Sequence, residues 1–498
     1  MFRSIALGTV LVLSALGAVD FERPAVVPTP ASAKWTLDRA VELKDGLPVR
    51  FDLVADHKAA PDWFAGRLRS AFGISCTSSV TRVTATAEWP EEGYCLRLDD
   101  KGLEIKARGL RGVRYAFQTL RQMAMPRRGT LRVAGWIAPA CEIEDQPALK
   151  FRGMHLCWFP ETDVKTVERC IRLAGYYKMN YVVLENWGTF RSEKYPWLGW
   201  KDGTMTKAEL ARLRAVAADL GVTLVPQLNI FGHASMSRSQ SAKHAVLDVS
   251  PEYQPLYEPH DGWNWCLSNP EALKVIDGFV AELHEAFGNP PFFHIGCDEA
   301  NPPSCPECRA RDYVELVAAN IARVTKLLEK RGARAMMWHD MLLKKGAWGR
   351  FYANASHGEE RLLGALPKSI VICDWFYNEG VAPEGYPTFN HFMTNGYDVV
   401  SSPWESVDGT AAQAKALRAL KGFGILGTTW HHVYKGAIRN QFVPVACGAW
   451  GDGEVDGRDF KTHWRQVGWD MGVTDYSDCG YVTEQVPRNT NIEIRPGG

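Results

Sequence analysis

Residues 292–300 read Phe-Phe-His-Ile-Gly-Cys-Asp-Glu-Ala and set two carboxylates, Asp298 and Glu299, side by side behind a run of large apolar residues. Phe292, Phe293 and Ile295 read as a short buried strand, and Gly296 and Cys297 are small enough to let a partner approach the backbone. Asn301-Pro302-Pro303 cannot continue that strand. Successive side chains at a strand end point apart, so the two acids meet a ligand at two different places. One can act on a leaving group while its neighbour holds another part of the substrate. The plainer alternative makes Asp298 a helix cap and Glu299 a solvated charge.

The surrounding chain argues for the first reading. From Phe151 onward it alternates strand, polar loop and helix. Eight strands are expected, at Phe151–Cys157, Asn180–Leu184, Thr223–Leu228, Phe292–Cys297, Arg334–Trp338, Ile370–Trp375, Asp398–Ser402 and Ile425–Trp430. Asp163–Lys178, Lys207–Leu220 and Ala310–Arg331 are the clearest helices. This alternation predicts a (β/α)8 TIM barrel, in which function sits at the carboxyl ends of the strands. The chemically capable residues fall there. They are Glu185-Asn186-Trp187, Asn229 with Gly232-His233, Asp298-Glu299, Trp338-His339-Asp340, Trp375-Phe376-Tyr377, Trp404-Glu405 and Trp430-His431, while Arg152 and His155 lie on the first strand. Tryptophan closes four of the eight strands, and barrel interiors favour branched aliphatics. Converging indoles therefore predict an aromatic box around a small ligand; single packing tryptophans are the blander reading.

Ahead of the barrel, residues 34–145 read as a small α+β domain. Tyr94–Leu98 alternates apolar and polar residues, Asp99–Gly102 is a turn, and Leu103–Ala107 returns. Val113, Ala116, Phe117, Leu120 and Met123 recur at helical spacing. Nothing in this domain demands chemistry. Met1-Phe2-Arg3 and the apolar run from Ile5 to Val19 fit a secretory signal peptide over residues 1–20, cut within 17–20, with Ala31-Ser32-Ala33 a second site. A linker is expected over 21–33 and the barrel with a C-terminal extension over 146–498. Secretion or a periplasmic location follows from the signal, with no membrane span in the mature chain.

The chain has 498 residues with 57 basic and 57 acidic side chains, a net charge of zero that argues against nucleic acid as partner. It holds 12 cysteines, all beyond the signal. Cys305-Pro306-Glu307-Cys308 resembles half of a zinc knuckle, but no second Cys or His pair follows it. A local disulfide or free thiols are expected there in preference to zinc, and neither cofactor nor metal is expected elsewhere.

These motifs resemble glycoside hydrolase family 20, the β-N-acetylhexosaminidases. His294-Ile295-Gly296-Cys297-Asp298-Glu299 is similar to the family's His-x-Gly-Gly-Asp-Glu signature, Phe151-Arg152-Gly153 to its first-strand motif, and Phe231-Gly232-His233 to its Pro-Gly-His turn. Tyr94–Met123 is similar to the family's small non-catalytic domain. Departures mark a divergent branch: Cys297 for the second Gly, Asn229 for a common Asp, Phe231 for Pro, Trp404-Glu405 for Tyr-x-Asp, and His431-His432 after Trp430 for Trp-x-Glu. The resemblance implies a glycan substrate with a terminal N-acetylhexosamine, cleaved with help from its own acetamido group. It implies Glu299 as general acid/base and Asp298 as the acetamido's partner. It implies Trp338, Trp375 and Trp430 as walls and Arg152 as a forked donor to hydroxyls. Asp340, Tyr377 and Trp404 are further expected substrate contacts. His233 is expected beside Glu299, oriented by Glu185, with Asn229 and His294 in support.

Overall fold

The computed structural model describes residues 21, 23–84, 90–128, 133–159, 162–200, 204–235, 246–259, 262–377, 385–430 and 438–451. The chain divides into two compact units, one of Met1–Val26 with Ala31–Asp145 and one of Val27–Pro30 with Gln146–Gly498. The expected signal segment, His431-His432 and the C-terminal extension past Gly451 lie outside the described residues.

The first unit holds β1 (Ser32–Leu43), β2 (Leu47–Leu53), β3 (Cys76–Arg82), β4 (Tyr94–Asp99), β5 (Gly102–Ala107), β6 (Met125–Arg128) and β7 (Val133–Asp145). The sheet runs β1-β7-β4-β5-β2-β3, with β6 added beside β7. In β4 and β5 the apolar residues Tyr94, Leu96, Leu98, Leu103 and Ile105 are buried and their neighbours are not, as a period of two dictates. The turn between them holds because Asp99 Oδ1 accepts the Lys101 N–H at 2.8 Å and Gly102 adopts φ 118°. Helices Ala59–Phe72 and Leu110–Met123 supply Phe64, Leu68, Val113, Phe117 and Leu120 to the core. The stretch expected as a 21–33 linker is partly packed: Phe21 and Val26 are buried, and β1 begins at Ser32.

The second unit is a closed parallel barrel of eight strands: β8 (Phe151–Trp158), β9 (Tyr181–Asn186), β10 (Thr223–Gln227), β11 (Phe292–His294), β12 (Arg334–Trp338), β13 (Val371–Phe376), β14 (Asp398–Pro403) and β15 (Gly424–Thr428). Strands covered on both faces have no solvated side, so β8, β13 and β15 are buried at every position without alternation, Arg152, His155 and Asp374 included. The helices start where their caps allow. Asp163 accepts from Thr166 N ahead of Val164–Tyr176, and Thr206 with Glu209 forms a capping box ahead of Lys207–Leu220. The amino end of the barrel is filled by rings as well as aliphatics, with Phe151 stacked on Tyr181 at 4.5 Å and edge-on to Phe292 at 5.5 Å. Every cysteine among the described residues is a free thiol. Among the described residues no helix is long and apolar enough to cross a membrane.

Candidate active site

The strand expected to run to Cys297 is regular only to His294, because the backbone then turns left-handed. Gly296 has φ 66°, Cys297 φ 77° and Glu299 φ 46°. A Cβ at Gly296 would collide with Asn229 Oδ1, so glycine is required there. Cys297 occupies a conformation that costs a side-chain-bearing residue about 1–2 kcal/mol, which is why glycine is the easier choice at this point of the motif. These turns send the two acids into different surroundings. Asp298 is 6% exposed, with Oδ1 buried and unpartnered, whereas the Glu299 side chain is 50% exposed.

Three neighbours hold the pair. His233, buried and itself left-handed at φ 56°, places Nε2 3.2 Å from Glu299 Oε2 and 3.4 Å from Asp298 Oδ2. It can stand that close because Gly232 has no side chain; a Cβ there would strike the Asp298 carbonyl. Trp263 packs on the His233 ring at 4.1 Å and donates its indole N–H to the Glu299 carbonyl at 2.6 Å. Asp340 Oδ2 accepts the Glu299 N–H at 2.9 Å and the Asn354 side-chain amide at 2.8 Å. Burial, and next the charge of Asp298, push the Asp340 carboxyl up to about 7.

A chain of aromatic rings walls the same mouth. Trp338 lies 5.3 Å from Trp430, Trp430 6.1 Å from Tyr377, Tyr377 5.3 Å from Trp375 and 5.2 Å from Trp404. The indole N–H groups of Trp338, Trp375 and Trp430 are buried without a protein acceptor. Burial, then the charges of Asp298 and Glu299, raise the Tyr377 phenol well above its ordinary value. Trp338 is wholly covered and packs on His294 at 4.2 Å and His155 at 5.3 Å, so it fills the barrel interior as well as backing the mouth. His294 is buried and accepts the Gly296 N–H on Nδ1; burial drives its pKa well below the ordinary value and keeps it neutral.

Two expectations need correction. Glu185 does not orient His233. Its Oε1 accepts from the Asn229 amide at 2.9 Å, and its Oε2 meets the Cys157 thiol at 2.8 Å and His155 Nε2 at 3.2 Å. Burial opposes its ionisation, yet these contacts, His155 foremost, hold it down at about 2. Arg152 is not a forked donor at the mouth. It is the second residue of β8, at the amino end of the barrel, and donates to the carbonyls of Leu149, Lys150 and Lys178 while lying 1% exposed. The strand's direction decides this, since its carboxyl end lies six residues further on at Trp158. Reasoning from the sequence missed Trp263, Tyr352 and Asn354, which enter from loops without a motif of their own. Tyr352 stacks toward Trp375 at 4.2 Å.

The chain is 26% identical over 286 residues to a beta-hexosaminidase of Porphyromonas gingivalis, an alignment covering 51% of this chain and 36% of that one. It is 26% identical over 310 residues to a lacto-N-biosidase of Bifidobacterium bifidum, covering 57% and 25%. The chain thus spans roughly a quarter to a third of these relatives' length. The structure of a GH20 exo beta-N-acetylglucosaminidase from Vibrio harveyi, in complex with N-acetylglucosamine, superposes with TM-score 0.67 at 18% identity, covering 93% of this chain and 79% of that one, and shares its fold. Residues 23–146 match glycosyl hydrolase family 20, domain 2, and residues 150–414 match the glycosyl hydrolase family 20 catalytic domain, so the chain belongs to glycosyl hydrolase family 20.

Proposed function

We propose that this protein is a secreted, exo-acting β-N-acetylhexosaminidase that removes terminal GlcNAc or GalNAc with retention, using the substrate's own 2-acetamido group as nucleophile. The observation that carries the reading is the split environment of adjacent carboxylates. Glu299 is half exposed and reachable by a glycosidic oxygen, whereas Asp298 is buried beside the aromatic walls with Oδ1 free to accept. In the first step Glu299 gives its proton to the leaving oxygen as the acetamido oxygen bonds to the anomeric carbon and the glycosidic bond breaks. Asp298 accepts the acetamido N–H and balances the positive charge of the cyclised ring. Trp375 and Trp430, backed by Trp338, enclose the acetamido and keep water from it. In the second step Glu299 takes a proton from water as that water reopens the ring from the opposite face, and two inversions give retention. His233, 3.2 Å from Glu299 Oε2, holds the acid's orientation, and Asp340 pins its backbone N–H.

Secretion rests on the apolar run Ile5–Val19 behind Arg3. The likeness to a lacto-N-biosidase favours a second specificity, release of lacto-N-biose, by the same chemistry. Turnover of an aryl β-N-acetylglucosaminide, followed by proton NMR of the first sugar released, tests the proposal. The β-hemiacetal is expected. An α-hemiacetal, or binding of the sugar without turnover, as in a carbohydrate-binding protein on a barrel that has lost catalysis, would overturn it.

A further inference from the structure

The loop after β10 and the loop after β11 meet a second time, away from the acids. Cys266 Sγ lies 3.7 Å from Cys305 Sγ and 4.0 Å from Cys308 Sγ. With a carboxylate oxygen of Glu258, the ligating atoms of the four residues fall within 4.8 Å of one another. All four are buried, Cys308 completely and Glu258 at 3% exposure. Sulfurs bound tetrahedrally at ~2.3 Å stand ~3.8 Å apart, the spacing found here. The Cys305 sulfur also accepts the Cys308 N–H at 3.1 Å. Glu258 supplies an independent sign. Its Oε2 is saturated by Ser304 N, Ser304 Oγ and Cys305 N, at 2.8, 3.0 and 2.6 Å, while its Oε1 is buried with no nitrogen or oxygen donor, and the Cys308 thiol is the group that faces the carboxylate. A disulfide would join only two of the three sulfurs and leave the third, with the Glu258 carboxylate beside it, outside the bond. A soft divalent cation answers all four donors.

We propose that Glu258, Cys266, Cys305 and Cys308 form a structural Zn2+ site that staples the two active-site loops together. Binding converts three thiols to thiolates, releases three protons to solvent and changes no oxidation state. The set is closed, with four protein donors and no open position, so the ion does no chemistry on substrate. Its effect on the active site runs through the segment between Glu258 and Cys266. There Trp263 holds the Glu299 carbonyl, and the Asn264 side chain brackets Asn301, donating to its carbonyl at 2.6 Å and accepting its N–H at 3.1 Å. Sequence spacing hid the site because the third sulfur, Cys266, lies 39 residues before Cys305 and not after Cys308.

The test uses the full chain, purified under reducing conditions without chelator. Elemental analysis should find about one zinc per chain. Exchange with Co2+ should give the thiolate-to-cobalt charge-transfer band and the intense visible bands of tetrahedral coordination. Cys308→Ser should abolish both, Glu258→Gln should weaken retention of the ion, and Cys170→Ser, a buried thiol elsewhere, should leave both unchanged. The wild-type readouts stand even if Cys308→Ser fails to fold, and neither depends on turnover. Substoichiometric metal after incubation with Zn2+, a cobalt spectrum without thiolate bands, or an intact mass showing a disulfide among the three cysteines would overturn the proposal.

Discussion

Glu299 sits at φ 46° with half its side chain in solvent, and its neighbours fix it by the backbone as much as by the carboxylate. Trp263 takes its carbonyl and Asp340 its N–H, so the acid's position survives substitution of the carboxylate itself. Glu299→Gln should therefore fold normally and lose only the proton. Its kcat/KM should fall far more on a glycan with a poor leaving group than on an activated aryl glycoside; equal losses on both would contradict the assignment. Asp340 gives a pH prediction. Its carboxyl is raised from 3.8 to about 7 in the fold, so the native state binds the proton more tightly than the unfolded chain. Stability from this group is full below pH 3.8, declines through that window and is lost above about pH 7, by about 1.4 kcal/mol per unit at most. Asp340→Asn keeps an oxygen for the Glu299 and Asn354 donors and does not titrate. The Tm of the variant minus that of the wild type should rise from pH 4 to pH 7.5, and a difference independent of pH would show that Asp340 does not carry this proton.

At the scale of elements, the loop after β10 is pressed against the turn that bears the acids. Gly232→Ala drives a methyl into the Asp298 carbonyl and must push the loops apart. A displacement of about 1 Å is enough to lower kcat on the order of 10²-fold while circular dichroism stays native; unchanged kcat would mean the contact is slack. The tryptophans separate by burial. Trp338→Ala, wholly inside the barrel, should cost about 3–5 kcal/mol of stability. Trp430→Ala, half buried at the mouth, should instead weaken a thiazoline mimic of the cyclised intermediate by about 2–4 kcal/mol, read from the inhibition constant. Equal inhibition of the wild type and Trp430→Ala would place that ring outside the acetamido pocket. The barrel strands were legible because parallel strands covered on both faces leave mostly apolar runs. Helix Lys207–Leu220 was legible to the residue because Thr206 and Gly221 punctuate it. Asp298 and Glu299 were legible because two acids and a proline pair end an apolar run. What a loop brings from far along the chain was not: Trp263, Asn354 and Cys266 are fixed by tertiary hydrogen bonds and sulfur contacts that leave no periodic trace. Arg152 was misplaced because a motif names a residue without saying at which end of the strand its side chain is spent.

At the scale of the molecule, the closed barrel converges its strand ends on one mouth, where a half-exposed carboxylate stands near a chain of aromatic rings; the proposed function makes these a proton donor and a walled site for a small amide. The proposed mechanism rests on the placement of the two acids, since Asp298 adjoins Glu299 in sequence and shares His233 with it. A protein nucleophile needs a carboxylate ~5–5.5 Å from the acid on the other face of the sugar, which neighbours on one turn are poorly placed to supply. Asp298→Asn should accordingly cost on the order of 10²–10³ in kcat on N-acetyl substrates, the loss of one preorganised electrostatic contact. The most direct test needs only the wild-type chain. Its kcat/KM is compared on para-nitrophenyl β-N-acetylglucosaminide and para-nitrophenyl β-glucoside, which differ only at the 2-position. The account predicts ready cleavage of the first and near-absence of cleavage of the second; comparable rates on both would place the nucleophile in the protein and contradict substrate assistance.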